Sequence, residues 1–89
     1  MIKLEEKLNE LGYKFYENFM LTRSFIKIYN DKWKLIIETT GLYEAEVTEY
    51  YIDLDGMVIY TQQDLDDLIQ AFNVLKKDLE KLRQNVSIN

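Results

Sequence analysis

The spacing of leucines near the N-terminus predicts a short amphipathic helix. Leu4, Leu8 and Leu11 fall at i, i+4 and i+7, which places them on one helical face with charged residues around the rest. Gly12 stands where a helix commonly ends in a left-handed turn. We therefore expect a helix over residues 2–11.

Beyond this glycine the pattern changes to an alternation, and β-branched and aromatic residues dominate up to Thr61. The alternation predicts five short strands, at residues 13–18, 23–30, 33–39, 43–53 and 57–61. The connections between them are too short for a parallel crossover, so the strands should form an antiparallel meander. The turns are expected at Asn30–Lys32, Gly41 and Asp55–Gly56, the last being the strongest hairpin signal.

The fourth strand has an inconsistent alternation. Tyr43 and Val47 define an apolar side, and Tyr50 and Ile52 continue that side only if the phase shifts by one residue. An extra residue in one strand of a pair produces such a shift. The sequence therefore predicts a one-residue β-bulge near Thr48–Tyr50.

The last segment predicts a long helix. Thr61 followed by Asp64 forms a capping box with aspartate, so the helix should begin at about Gln62. Acidic residues occupy its first turns and basic residues its last, as the helix dipole favours. Its apolar stripe alternates spacings of three and four, at Leu65, Leu68, Phe72, Leu75, Leu79, Leu82 and Val86.

This helix is longer than the strands, which span about 17–20 Å when they have five or six residues. The first half of the stripe is expected to pack on the sheet, and the second half needs another cover. The N-terminal helix is one candidate. The other is a second copy of the chain, in which case Leu79, Leu82 and Val86 would form a self-association seam.

Together these elements predict a single α+β domain over residues 1–89. It would be a two-layer sandwich with a short N-terminal helix, an antiparallel β-meander of four or five strands and a long C-terminal amphipathic helix.

Composition excludes several kinds of chemistry. The 89 residues include neither Cys nor His, which excludes disulfide frameworks, the usual zinc sites and catalytic triads that need His. Pairs of carboxylates are present, but a two-layer domain of this size offers little room for the deep pocket that acid–base catalysis needs. We therefore predict no enzymatic activity, no cofactor and no metal.

No targeting or membrane segment is evident in the chain. The N-terminal residues include Glu5, Glu6 and Glu10 and lack the apolar core of a signal peptide. No run of about 18 apolar residues occurs. The expected location is the cytoplasm, with no membrane partner.

The charge distribution is the most unusual feature of the sequence. The net charge is −5, and the excess lies in residues 35–75, which contain nine acidic residues and no basic residue. Residues 1–34 (seven basic, five acidic) and 76–89 (four basic, two acidic) each carry a net charge of +2. Such a chain is poorly suited to binding nucleic acid directly. It is well suited to attracting a basic protein surface.

Eleven of the twelve aromatic residues lie between Tyr13 and Tyr60, within the predicted sheet. Helices can cover only one face of that sheet, so some of these aromatic side chains should be exposed, and Tyr and Trp are common in interaction hot spots. We predict a partner-binding surface in which Tyr43, Tyr50 and Tyr51 act as anchors beside the carboxylates of Glu44, Glu46, Glu49, Asp53 and Asp55.

The small size, the acidic middle and the helix–meander–helix order resemble small accessory proteins of phages and mobile elements from low-GC bacteria. Anti-CRISPR and other anti-defence proteins are among them. Residues with A/T-rich codons (Phe, Tyr, Met, Ile, Asn, Lys) number 38, against 7 for Gly, Ala, Arg and Pro. The resemblance implies a protein that binds and inhibits a basic host protein, for example one that handles nucleic acid.

Two alternatives remain open from the sequence. One is a homodimeric structural protein that assembles through its last helix. The other is a small-ligand protein in which Tyr and Trp stack on a nucleotide.

Overall fold

The computed structural model describes residues 4–40 and 46–86, with side chains up to residue 83. Its elements are α1 (Leu4–Glu10), β1 (Lys14–Phe19), β2 (Thr22–Tyr29), β3 (Trp33–Thr40), β4 (Glu46–Asp53) and α2 (Gln62–Val86). The strands form one open antiparallel sheet in the order β1-β2-β3-β4. The predicted α+β class is confirmed. The predicted Gly41 turn and the start of the fourth strand at 43–45 lie outside the described residues.

The N-terminal helix ends as the sequence predicts. Gly12 has a φ of 98°, a conformation that a residue with a Cβ rarely adopts. The amide of Tyr13 then donates to the carbonyl of Leu8 at 2.9 Å, which turns the chain from the helix into the sheet. Of the predicted helix, residues 2 and 3 lie outside the described part.

The predicted fifth strand at 57–61 is wrong. Asp55 and Gly56 do form a tight turn with positive φ, closed by a hydrogen bond from the Met57 amide to the Leu54 carbonyl at 3.0 Å. Beyond the turn, however, no strand forms, and Tyr60 is 85% exposed. Alternation stabilises a strand only when one face is buried, and in this segment only Ile59 packs against the core, while Met57 and Val58 are 45% and 57% exposed. Within the described residues β4 is therefore an edge strand.

The predicted β-bulge is confirmed. Val47 pairs with Thr39, and Glu49 pairs with the preceding residue Glu38, so Thr48 has no residue opposite it. The extra residue shifts the alternation by one position and keeps the apolar residues of β4 on the side of the helices.

The capping box of the long helix is also confirmed. The amide of Asp64 donates to the Thr61 hydroxyl oxygen at 3.0 Å, and the amide of Thr61 donates back to the Asp64 carboxylate at 3.4 Å. The two reciprocal bonds satisfy amides that have no partner within the helix, and α2 begins at Gln62 as expected.

The core lies between the sheet and the two helices. Its buried side chains come from every element except β1 and β4, and they are Leu4, Leu8, Tyr13, Phe25, Trp33, Leu35, Ile37, Ala71, Leu75 and Leu82. Half-buried residues such as Val47 and Ile52 extend it under β4.

The self-association seam predicted at Leu79, Leu82 and Val86 is wrong at its centre. Leu82 is only 3% exposed and belongs to the same buried cluster as Leu4 and Leu8. The N-terminal helix is therefore the cover that the second half of α2 requires. Leu79 is half-buried, and the side chain of Val86 lies outside the described part.

A buried polar cluster fastens α2 to the sheet. Asp78 is 5% exposed, and its carboxylate accepts hydrogen bonds from the Tyr13 hydroxyl and the Lys27 ammonium group, each at 2.9 Å. Burial, together with the adjacent Asp78 carboxylate, raises the pKa of Tyr13 far above its ordinary value. The cluster thus holds a neutral phenol and an ion pair between α2 and β2.

Candidate protein-binding surface

The strand register shows from which face each acidic residue projects, since residues directly opposite each other in an antiparallel pair share a face. Glu38 lies opposite Glu49 on one side and opposite Ser24 on the other, and Ser24 lies opposite Glu17. These four residues form a row across all four strands, which we call the acidic row. It lies on the sheet face turned away from the helices, here called the outer face.

A row of apolar side chains runs beside the acidic row. Ile36 lies opposite both Ile26 and Tyr51. It is only 6% exposed although it lies on the outer face, whereas Tyr51, at the sheet edge, is 41% exposed. Because adjacent strands are about 4.8 Å apart, the acidic row extends about 14 Å across four strands, and the apolar row extends about 10 Å across three. The outer face therefore presents negative charge and apolar surface side by side.

Tyr51 connects the two rows. Its hydroxyl donates to the Glu38 carboxylate at 3.1 Å, and the Ser24 hydroxyl approaches the same oxygen at 3.5 Å. Partial burial raises the pKa of Tyr51 above its ordinary value, and the hydrogen bond to Glu38 and the negative charges of Glu49 and Asp53 add to the effect. The pKa of this phenol therefore responds first to its partial burial and then to the carboxylates around it.

The eight residues predicted to bind a partner are divided by the structure. Glu46, Glu49, Tyr51 and Asp53 all project from the outer face of β4, by their pairing with outer-face residues of β3. Asp55 lies in the adjacent turn, where its amide donates to the Asp53 carboxylate at 2.8 Å.

Of the other three predicted residues, the structure describes only Tyr50. Tyr50 projects towards the helices, since it lies opposite the buried Ile37. Tyr43 and Glu44 lie outside the described residues. Of the two predicted anchors that the structure describes, Tyr51 projects from the outer face and Tyr50 does not.

Part of the acidic excess is neutralised within the chain. The Lys32 ammonium donates to the Asp67 carboxylate at 2.8 Å and lies 4.0 Å from that of Asp64. The hydrogen bond from Lys32 lowers the pKa of Asp67 and raises that of Lys32. These two helix carboxylates fasten the β2–β3 hairpin to α2, so they contribute less to the outward field than the carboxylates of the outer face do.

A second surface lies on the other side of β4, between the edge strand and α2. It is a groove of about 280 Å³. Aromatic, apolar and charged side chains line it, namely Tyr50, Tyr51, Phe72, Leu75, Lys76, Leu79, Glu80 and Arg83. Among its aromatic residues, Tyr50 and Phe72 are each 52% exposed, and Tyr51 is 41% exposed.

The sequence-based reasoning missed two carboxylates of the acidic row, those of Glu17 and Glu38, and it misjudged the exposure of Trp33. The alternation in β3 already places Glu38 with Lys34, away from the core, but pairing it with Glu49 and Glu17 requires the strand register. Trp33 is fully buried, so a stacking role for tryptophan in nucleotide binding is wrong. Its neighbour Lys34 lies on the outer face, opposite Asp53.

Within the part of the chain that the structure describes, no helix combines the length and apolar composition that crossing a membrane requires. Among the same residues, no group of three or more carboxylates is arranged to hold a metal ion. Comparisons of the chain with protein-family models, with curated proteins and with solved structures found no match.

Proposed function

We propose that this protein is a non-enzymatic interaction module whose outer face binds a basic surface of another protein and blocks it. The observation that carries the proposal is the direct opposition of Glu38 and Glu49 on adjacent strands. Like charges at directly opposed positions destabilise a sheet. A local choice that opposes folding is expected mainly where function requires it.

The apolar row supplies what charge alone does not. Electrostatic attraction accelerates encounter and selects partners of opposite charge, but affinity also needs desolvated contacts. Ile26 and Tyr51 provide such contacts next to the carboxylates, and the buried Ile36 lies between them. Tyr51 is the anchor, since a half-exposed aromatic ring beside a polar rim is typical of an interaction hot spot.

Proteins that handle nucleic acid are the partner class that fits best. Their binding surfaces are basic because they neutralise phosphates. A row of carboxylates across a sheet would occupy such a surface and exclude the nucleic acid from it. Inhibition would then follow from competition and would require no chemistry.

Charge-neutralising variants with a matched control test the proposal. The variant E38Q/E46Q/E49Q removes three negative charges from the outer face, which changes the net charge from −5 to −2. The control E6Q/E10Q/D31N makes the same change at exposed positions outside this face. Each form is immobilised and exposed to lysate of a low-GC bacterium at low and high salt, about 50 and 500 mM.

The expected result is a basic protein retained by the wild type and the control at low salt, released at high salt, and lost by the outer-face variant. Duplex DNA added to the purified pair should compete. Equal retention by both variants, or retention that salt does not weaken, would contradict the proposal. A further variant, Tyr51→Ala, should weaken binding without changing its salt dependence.

A further inference from the structure

The free edge of β4 borders the groove between this strand and α2. Because β4 is the last strand in the order of the sheet, its free side has no partner strand within the described residues. Tyr50 and Tyr51 project from opposite faces of β4, and both line the groove. The groove therefore follows the free edge. Beyond the bulge at Thr48, the regular stretch of residues 49–53 offers its backbone groups to a further strand.

The wall that α2 contributes to the groove is apolar towards the core and basic further out. At about 100° per residue, Leu79 lies about 20° from Phe72 on the core side of the helix. Arg83 and Lys76 lie about 20° and 40° from Phe72 in the other direction, so they face the groove that they line. Within the described residues neither cation is part of an ion pair. Glu80 also lines the groove, at its solvent side, about 80° from Phe72.

The outer face of β4 has the opposite charge. Glu46, Glu49 and Asp53 project from it. A strand paired with β4 would place alternate side chains beside these carboxylates and the remaining side chains in the groove, since directly opposed residues share a face. Basic side chains are therefore favoured on the outer side of such a strand, and acidic or apolar side chains on its groove side.

We propose that the groove binds an extended peptide of alternating charge, which adds a strand to the β4 edge. Its groove-side residues are acidic or aromatic, and its outer-side residues are basic. Two groove-side carboxylates four residues apart are about 13 Å from each other, and Lys76 and Arg83 are about 10.5 Å apart along α2, a difference that their long side chains span. An aromatic residue between the two carboxylates would contact Phe72. Backbone pairing supplies affinity in this mode of recognition, and the alternate side chains supply specificity.

Two peptides of one composition test the alternation. The first is Lys-Glu-Lys-Phe-Lys-Glu-Lys. The second, Lys-Lys-Glu-Glu-Phe-Lys-Lys, has the same net charge but places one glutamate on each face in either phase. Both are capped and fluorescently labelled, and their dissociation constants for the full chain are measured by anisotropy at about 150 mM salt. The alternating peptide should bind at least about tenfold more tightly. Equal affinity, or no binding of the alternating peptide up to about 1 mM, would overturn the proposal.

The variant K76Q/R83Q tests the groove wall, and K14Q/K77Q is its matched control, since each removes two positive charges at exposed positions. Lys14 lies on β1 at the opposite edge of the sheet, and Lys77 lies about 140° from Phe72 around α2. The groove variant should bind the alternating peptide about tenfold more weakly than the control does. Because the peptide is positive overall, a long-range effect of either variant would strengthen binding instead. Equal affinities of the two variants would overturn the proposal.

Backbone methylation tests whether the peptide pairs with β4. In an extended strand the amides of alternate residues point to the same edge. Methylating the even-numbered or the odd-numbered amides of the alternating peptide should therefore abolish binding for one set and preserve it for the other. Equal effects of the two sets would overturn strand addition. Binding of adenosine monophosphate that K76Q/R83Q abolishes, without binding of the peptide, would likewise overturn it and assign the groove to a nucleotide.

Discussion

Replacing Asp78 with alanine tests how strongly the buried polar cluster holds α2 on the sheet. The carboxylate accepts hydrogen bonds from Tyr13 and Lys27, each at 2.9 Å. Its loss leaves the fully buried Tyr13 hydroxyl without a partner, at a cost of about 1–3 kcal/mol. The Lys27 side chain is 27% exposed and can turn towards water, so its contribution falls below the roughly 3–5 kcal/mol of a fully buried broken pair. We expect the free energy of unfolding to fall by about 2–4 kcal/mol.

Such a loss would be easily measured. A chain of 89 residues is expected to have a free energy of unfolding of about 4–13 kcal/mol. Trp33 is the only tryptophan and is fully buried, so its fluorescence follows urea unfolding. Glu80→Ala, at an exposed position of the same helix, serves as the control and should change stability by less than about 0.5 kcal/mol.

The reasoning would be refuted if Asp78→Ala cost less than about 1 kcal/mol, because desolvation of the carboxylate would then offset its hydrogen bonds. A double-mutant cycle with Tyr13→Phe separates the two contacts of Asp78. The hydrogen bond predicts a coupling energy of about 1 kcal/mol or more between the two sites. Strict additivity would show that the Tyr13 hydroxyl contributes nothing through Asp78.

Three further predictions concern stability. Leu82→Ala should cost about 2–5 kcal/mol in urea unfolding, whereas Leu21→Ala, at a position that is 71% exposed, should cost less than about 0.5 kcal/mol. Because the pKa of Tyr13 is raised, the unfolded chain loses the phenol proton near pH 10.0 and the folded chain keeps it. The free energy of unfolding should therefore fall above that pH by about 1.4 kcal/mol per pH unit. It should fall less steeply in Tyr13→Phe, which has no such proton. The hydrogen bond from Lys32 lowers the pKa of Asp67 in the folded chain. The stability that the Asp67 carboxylate contributes is therefore present above its ordinary pKa of 3.8 and is lost as the pH falls through the lowered pKa. The free energy of unfolding of Asp67→Asn should accordingly depend less on pH in the acid range.

The elements of the fold could be predicted because each depends on local chemistry. Gly12, the Thr61–Asp64 box and the alternation of apolar residues act within a few positions of themselves. Even the bulge at Thr48 was evident, since a strand with one buried face cannot change phase without an extra residue. The segment at 57–61 failed for the opposite reason. Its composition suits a strand, but whether it pairs with β4 depends on the path of the chain between the Asp55–Gly56 turn and the start of α2 at Gln62.

The candidate site was only partly predictable, because a site depends on register. The sequence indicated the acidic middle of the chain and the exposed side of β4. It did not indicate that Glu17, Glu38 and Glu49 would lie in one row. That row follows only from the registers of all three strand pairs. Of the predicted anchors, Tyr50 and Tyr51 could not share one surface, because adjacent residues of a strand project from opposite faces.

The apolar stripe of α2 was interpreted as a single face and is in fact two. Leu68, Leu75 and Leu82 form one line, and Leu65, Phe72 and Leu79 form another, about 60° away around the helix. In a helical bundle, neighbours on two sides would bury both lines. A single long helix on a sheet has its core on one side only, so the second line is buried only if a neighbour is supplied.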